Sequence, residues 1–212
     1  VDPEGSVLYV EPVVPDAGDV TYEATDAKNS VSYAEAAAPD GEAISVTEAA
    51  AGDPQNVFNL HSRPGSSNVV FLDFDGQRLQ NTVWNTLMGQ SVLEALPFDP
   101  DLNDSPKTVA NFTQGEMNRI AQIWHRIAAD YAAFDIDVTT EQPAVFTSTT
   151  GRLLFTHDVD AAGRWMPYPN TGGASYVDVF GLSNYATYYS PALVYYTNLY
   201  TYAQGYPPPV AE

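Results

Sequence analysis

Two aspartates close an apolar run in Val69-Val70-Phe71-Leu72-Asp73-Phe74-Asp75-Gly76. Two carboxylates at the end of an apolar strand are a candidate reactive pair. The same residue types also cap turns, because Asp side chains bond nearby backbone amides. A second acidic cluster is Asp99-Pro100-Asp101-Leu102-Asn103-Asp104. Its oxygen donors make Asp99, Asp101, Asn103 and Asp104 a candidate calcium loop or a solvated acidic loop. An EF-hand loop carries Gly at its sixth position and Glu at its twelfth, and here those positions are Asp104 and Ala110. The histidines are His61, His125 and His157, and no two are spaced to form a His-x-x-x-His zinc face on a helix. No Gly-rich phosphate loop and no Gly-x-Ser-x-Gly elbow occurs. Nine tyrosines lie between Tyr176 and Tyr206. Tyrosine offers rigid amphipathic contact area, which suits either a peptide or glycan surface or a half-buried sheet with its loops.

Charge narrows the partners. The 212 residues carry 27 acids against eight Lys and Arg, a net charge of −19. Such a chain repels phosphate backbones and anionic lipid, so neither nucleic acid nor a membrane is an expected partner. No apolar run is long enough to span a bilayer. Cysteine is absent, which excludes disulfides, thiolate metal sites and Cys nucleophiles. The chain opens with Val1 and shows no basic-then-apolar signal segment, so its N-terminus is expected to have been trimmed or not included.

The elements that must position these residues follow from pattern. Residues 1–53 hold 12 acids and one base, a net of −11, and few aromatics. They are expected to be an acidic leader or pro-segment of low structure, although Ser6-Val7-Leu8-Tyr9-Val10 alternates as a short strand would. Strands are expected at 69–74, 136–140, 152–157, 173–180 and 192–196, with 78–84 as the return strand of a hairpin. One long helix is expected over 114–132. Thr113 and Glu116 have capping-box spacing, Phe112 and Met117 that of a staple, and Met117, Ile120, Trp124, Ile127 and Tyr131 form one stripe. This order predicts an α/β (α+β) fold: a twisted mixed sheet of four to five strands with one long crossover helix, over residues 57–212.

Two families share motifs with the chain. The Asp73-x-Asp75 turn resembles the nucleophile motif of haloacid-dehalogenase-like phosphatases, but Gln77 stands where that family carries Thr. A longer likeness has three parts: Leu60-His61-Ser62-Arg63-Pro64-Gly65 with Val70 to Gly76, the ungapped run from Ile123 to Glu141, and Gly172 to Val177 followed by Pro191-Ala192-Leu193-Val194-Tyr195. In this order they resemble secreted bacterial zinc metallopeptidases of the metzincin type, over about residues 57–212.

The resemblance implies a sheet with an early crossover helix and an antiparallel edge strand, then a helix carrying His-Glu-x-x-His. In that family an Ala-Glu pair such as Ala211-Glu212 opens the zinc helix. The zinc ligands and the catalytic Glu are therefore expected beyond Glu212, with no catalytic residue in this chain, which is expected to be inactive alone. The resemblance further implies an extracellular location and a peptide or protein substrate. The substrate would lie extended along Gly173, Ala174, Ser175, Tyr176 and Val177. Without the zinc helix, Val194 and its neighbouring tyrosines are expected to be exposed. The alternatives are a non-catalytic extracellular binding or adhesion module with calcium, and a phosphatase using Asp73 and Asp75. No oligomeric state follows from the sequence.

Overall fold

The computed structural model describes residues 7–11 by their main chain, together with residues 57–100 and 111–198. Its strands are β1 (Val7–Glu11), β2 (Val69–Asp73), β3 (Gln77–Leu79), β4 (Leu93–Ala95), β5 (Asp137–Thr139), β6 (Thr150–Thr156), β7 (Gly173–Val177) and β8 (Ala192–Tyr195). The helices are α1 (Val83–Met88) and α2 (Gln114–Asp130), and Tyr185–Tyr189 forms a π-helical turn. The main sheet has the order β1-β7-β8-β6-β2-β5, and β3 and β4 form a separate ribbon. Strands β5, β2, β6 and β8 are parallel neighbours, whereas β7 is antiparallel to both β8 and β1. The fold is thus mixed α/β. Five main-sheet strands come from the expected domain, and the sixth, β1, comes from residues 1–53.

Alternation along the strands builds two cores. Val70, Leu72, Val138 and Phe155 face α2, where Ile120 and Trp124 are buried with them. Leu154, Ala174, Leu193 and Tyr195 face the other way, against Trp84 of α1, the β3–β4 ribbon, Met166 and Tyr189. The α2 helix starts where its capping box places it. Thr113 N–H donates to Glu116 Oε2 at 2.8 Å, and Glu116 N–H donates to Thr113 Oγ1 at 3.3 Å. Trp124 Nε1 donates to the Val138 carbonyl at 2.8 Å and fixes the helix on β5.

Three expectations change. The 78–84 segment does not return against β2. Only Gln77–Leu79 is strand, and it pairs with Leu93–Ala95. Thr82 then caps α1, with Asn85 closing the box that Glu or Gln more often closes, and Gly89 ends the helix at φ +63. The strand expected to reach Phe180 stops at Val177, because Asp178 takes a left-handed φ of +61. The tyrosines beside Val194 are not an exposed patch. Tyr195 is fully buried and its hydroxyl donates to the Pro167 carbonyl, and Tyr196 packs on Phe98. Tyr195 lies in the core with the ribbon, α1 and Met166, whereas Val194 and Tyr196 pack in the core on the α2 face.

Candidate functional site

The five residues expected to receive a peptide form the whole of β7. Its pairing to β8 covers only Gly173 and Ala174, which face Val194 and Leu193. The backbones meet closely there: a Cβ on Gly173 would stand 2.2 Å from the Leu193 carbonyl oxygen, so no larger residue fits. Along the opposite edge β1 pairs antiparallel with all five residues, from Val7 opposite Val177 to Glu11 opposite Gly173. Ala174 and Tyr176 share the face of the aromatic core. Tyr176 lies 5.3 Å from the Trp84 ring and 5.4 Å from Tyr189. Ser175 alternates to the other face, and Val177 is 37% exposed. Chemically this is a main-chain hydrogen-bonding rail with an aromatic floor, suited to hold an extended chain.

The Asp73-x-Asp75 pair is built differently. Asp73 ends β2 and is only 2% exposed, while Asp75 is exposed in the turn. Gly76 makes that turn at φ +82, where a Cβ would meet the Ala95 carbonyl at 2.8 Å. Arg152, opposite Phe71 on β6, brings Nε to 3.5 Å from Asp73 Oδ2 and lies 4.1 Å from the Phe146 ring centre. Burial, with the nearby Asp75 carboxyl, holds the Asp73 pKa well above the ordinary carboxylate range despite Arg152. Burial likewise lowers the Arg152 pKa. A nucleophile for phosphorus must be reachable, and Asp73 is only 2% exposed, so its placement gives phosphoryl transfer no support.

Of the candidate calcium donors, Asp99 is described: its N–H donates to Tyr196 Oη at 2.8 Å. Asp101, Asn103 and Asp104 lie outside the described residues, as do Tyr200, Tyr202, Tyr206 and all of 1–53 except β1.

The histidines do not converge. His157 follows β6, packs 5.1 Å from the Tyr196 ring, and is held below its usual pKa by burial. His125 lies on α2 beside Trp124. His61 forms a cluster that the sequence pattern did not reveal. Its Nδ1 lies 2.6 Å from Asp137 Oδ2 and its Nε2 2.8 Å from Glu141 Oε2. Both carboxylates come from β5 or just beyond it. Burial opposes protonation of the ring, but the two carboxylates outweigh it and raise the His61 pKa. With a carboxylate on each nitrogen, the imidazolium is the form that donates to both. A period-two strand pattern shows that Asp137 lies on a strand but not that a residue 76 positions earlier folds over it.

Among the described residues, no three His, Asp or Glu side chains gather to hold a metal ion. His61 has both ring nitrogens engaged, so it does not suit zinc, and no step through zinc is derived from this chain's residues. Comparison of the chain with family models, with curated proteins and with solved structures finds no match.

Proposed function

We propose that this chain is the substrate-binding front of a secreted zinc-dependent endopeptidase, with Gly173–Val177 as the rail on which the substrate peptide lies. The zinc and its catalytic Glu would come from residues following Glu212, where the resemblance to metzincin-type peptidases puts them. When bound, zinc in such enzymes supplies a water acidified to a pKa of ~7 and polarises the scissile carbonyl.

What supports the reading is one feature of the main sheet: among its described strands after residue 57, β7 alone runs against the parallel set, and it lies between β8 and β1 in the half of the sheet away from β5. An antiparallel rail binds a peptide through main-chain bonds alone, so it holds substrates of differing sequence. The aromatic floor under Ala174 and Tyr176 favours apolar side chains at alternate peptide positions. The domain's own work is to fix peptide direction and register. Gly173 anchors this by its close contact with Leu193.

The deciding experiment is to sequence the coding DNA past the Glu212 codon and express what it encodes. A frame running into His-Glu-x-x-His, with peptide hydrolysis lost to a chelator and restored by zinc, is the expected result. A stop codon directly after Glu212 would overturn the reading.

A further inference from the structure

We propose that β1 is a displaceable occupant of the β7 rail, so that an extended peptide binds this chain only by taking the place of Val7–Glu11. The inference rests on the reading of β7 as a peptide rail and adds its regulation. Three observations carry it. First, β1 pairs with every residue of β7, whereas β8 pairs with only Gly173 and Ala174. Ser175, Tyr176 and Val177 therefore find their ladder partners in β1. Second, β1 belongs to the acidic leader, roughly 160 residues away along the chain, and its pairing must offset the closure of that long loop. Third, the ladder is a backbone interaction that any extended chain in the same direction reproduces.

The register also states what a competing peptide should look like. Cross-strand partners share a face. Peptide positions opposite Ala174 and Tyr176 therefore lie over the core that holds Trp84 and Tyr189, and should be apolar. The leader carries Val10 and Leu8 at those two register positions. A tethered strand acts at an effective concentration on the order of millimolar, so a micromolar free peptide gains the rail only when β1 pairs poorly.

The test uses the full 212-residue chain and a fluorescein-labelled hexapeptide of sequence Ser-Val-Leu-Tyr-Val-Glu. Two double variants are compared with wild type: Val7→Pro with Tyr9→Pro, and Leu8→Pro with Val10→Pro. Alternate residues of an antiparallel strand point their N–H groups to the same neighbour, so only one of the two variants removes the bonds to β7. That variant is expected to bind the hexapeptide about 3- to 5-fold more tightly than wild type, with deuterium uptake at Ser175–Val177 raised by a similar factor until the peptide is added. The other variant should stay near wild type. A hexapeptide with Asp at the Leu and Val positions opposite Tyr176 and Ala174 should not bind.

Equal peptide binding by all three chains would overturn the proposal. So would unchanged exchange at β7 in both variants, or loss of folding in both, which would make β1 an integral strand. Equal binding of the Asp-substituted peptide would overturn the register argument. Failure of the peptidase reading looks different. Peptide capture without hydrolysis in a chain extended past Glu212 keeps the displaceable strand and removes proteolysis. Hydrolysis that the prolines leave unchanged does the reverse.

Discussion

The two ends of the main sheet are closed by unlike means. At the β5 edge the closure comes from within the domain and interleaves main-chain bonds with bonds to particular side chains. Ser62 N–H donates to the Val138 carbonyl at 3.0 Å, Val138 N–H donates to Ser62 Oγ at 2.8 Å, and Leu60 N–H donates to Thr140 Oγ1 at 2.9 Å. Asp137 receives the Arg63 N–H at 2.9 Å and holds His61. At the β7 edge the closure is a regular backbone ladder from the leader. The first closure is specific to its residues and resists replacement. The second can be copied by any extended chain of the right direction. An open sheet edge is a hazard, and this molecule seals one edge permanently and leaves the other with a removable cover.

The largest expected effect falls on the anchor that both covers of β7 need. Gly173→Ala puts a methyl 2.2 Å from the Leu193 carbonyl oxygen, and neither backbone can give way without breaking the β7–β8 pairs. A loss of about 3 kcal/mol in unfolding free energy is expected by denaturant titration. A loss below about 1 kcal/mol would mean that β7 is loosely held even by β8.

Next comes the sealed edge. Asp137→Ala strips the acceptor from the Arg63 N–H and the partner from His61, leaving polar groups beside a carboxyl site that was only 4% exposed. The expected loss is about 2 kcal/mol, with faster amide exchange at residues 60–63 and not at β7. Exchange rising at both edges together would break the comparison, because it would make the two closures one cooperative unit.

A smaller, pH-dependent effect sharpens it. The folded-state pKa of His61 is raised by Asp137 and Glu141 above the unfolded value of ~6.5. Its contribution is then fully present below pH ~6.5 and is lost as pH rises through the folded pKa. His157 acts in the opposite sense, since burial lowers its pKa and its neutral form is favoured on folding. The quantity to measure is therefore the difference between wild type and His61→Gln, in which His157 cancels. That difference should be about 1 kcal/mol at pH 5.5 and shrink towards zero at high pH. A difference independent of pH would assign His61 a packing role alone.

How much of this was legible in the sequence depended on range. The α2 helix, β2, β5, β6 and β8 were visible because period and caps are local signals: Thr113 with Glu116, Ile120 with Trp124, and the β-branched runs. The α1 helix was missed because Asn85 closes its capping box and the helix has only six residues. The two edge closures were invisible for another reason. His61 meets Asp137, and β1 meets β7, through long-range geometry that alternation does not encode. The burial of Asp73 was half legible. The strand end was evident, but not that Arg152 on a neighbouring strand, set against the Phe146 ring, would stand beside the carboxyl. Gly173 marked the start of a strand, but its close contact with Leu193 shows only once β8 is beside it.

The smallest global effect is expected where the local effect is largest. The variant of β1 whose prolines face β7 should lose less than about 1 kcal/mol of unfolding free energy, because a peripheral ladder contributes little beyond the cost of closing its long loop. Its β7 amides should nevertheless exchange faster, since β8 pairs only with Gly173 and Ala174. This dissociation of local opening from global stability is what a removable cover requires. A fall of 3 kcal/mol or more, comparable with Gly173→Ala, would mean that β1 is as structural as β8. The two edges would then differ in the chemistry of their closure but not in its permanence.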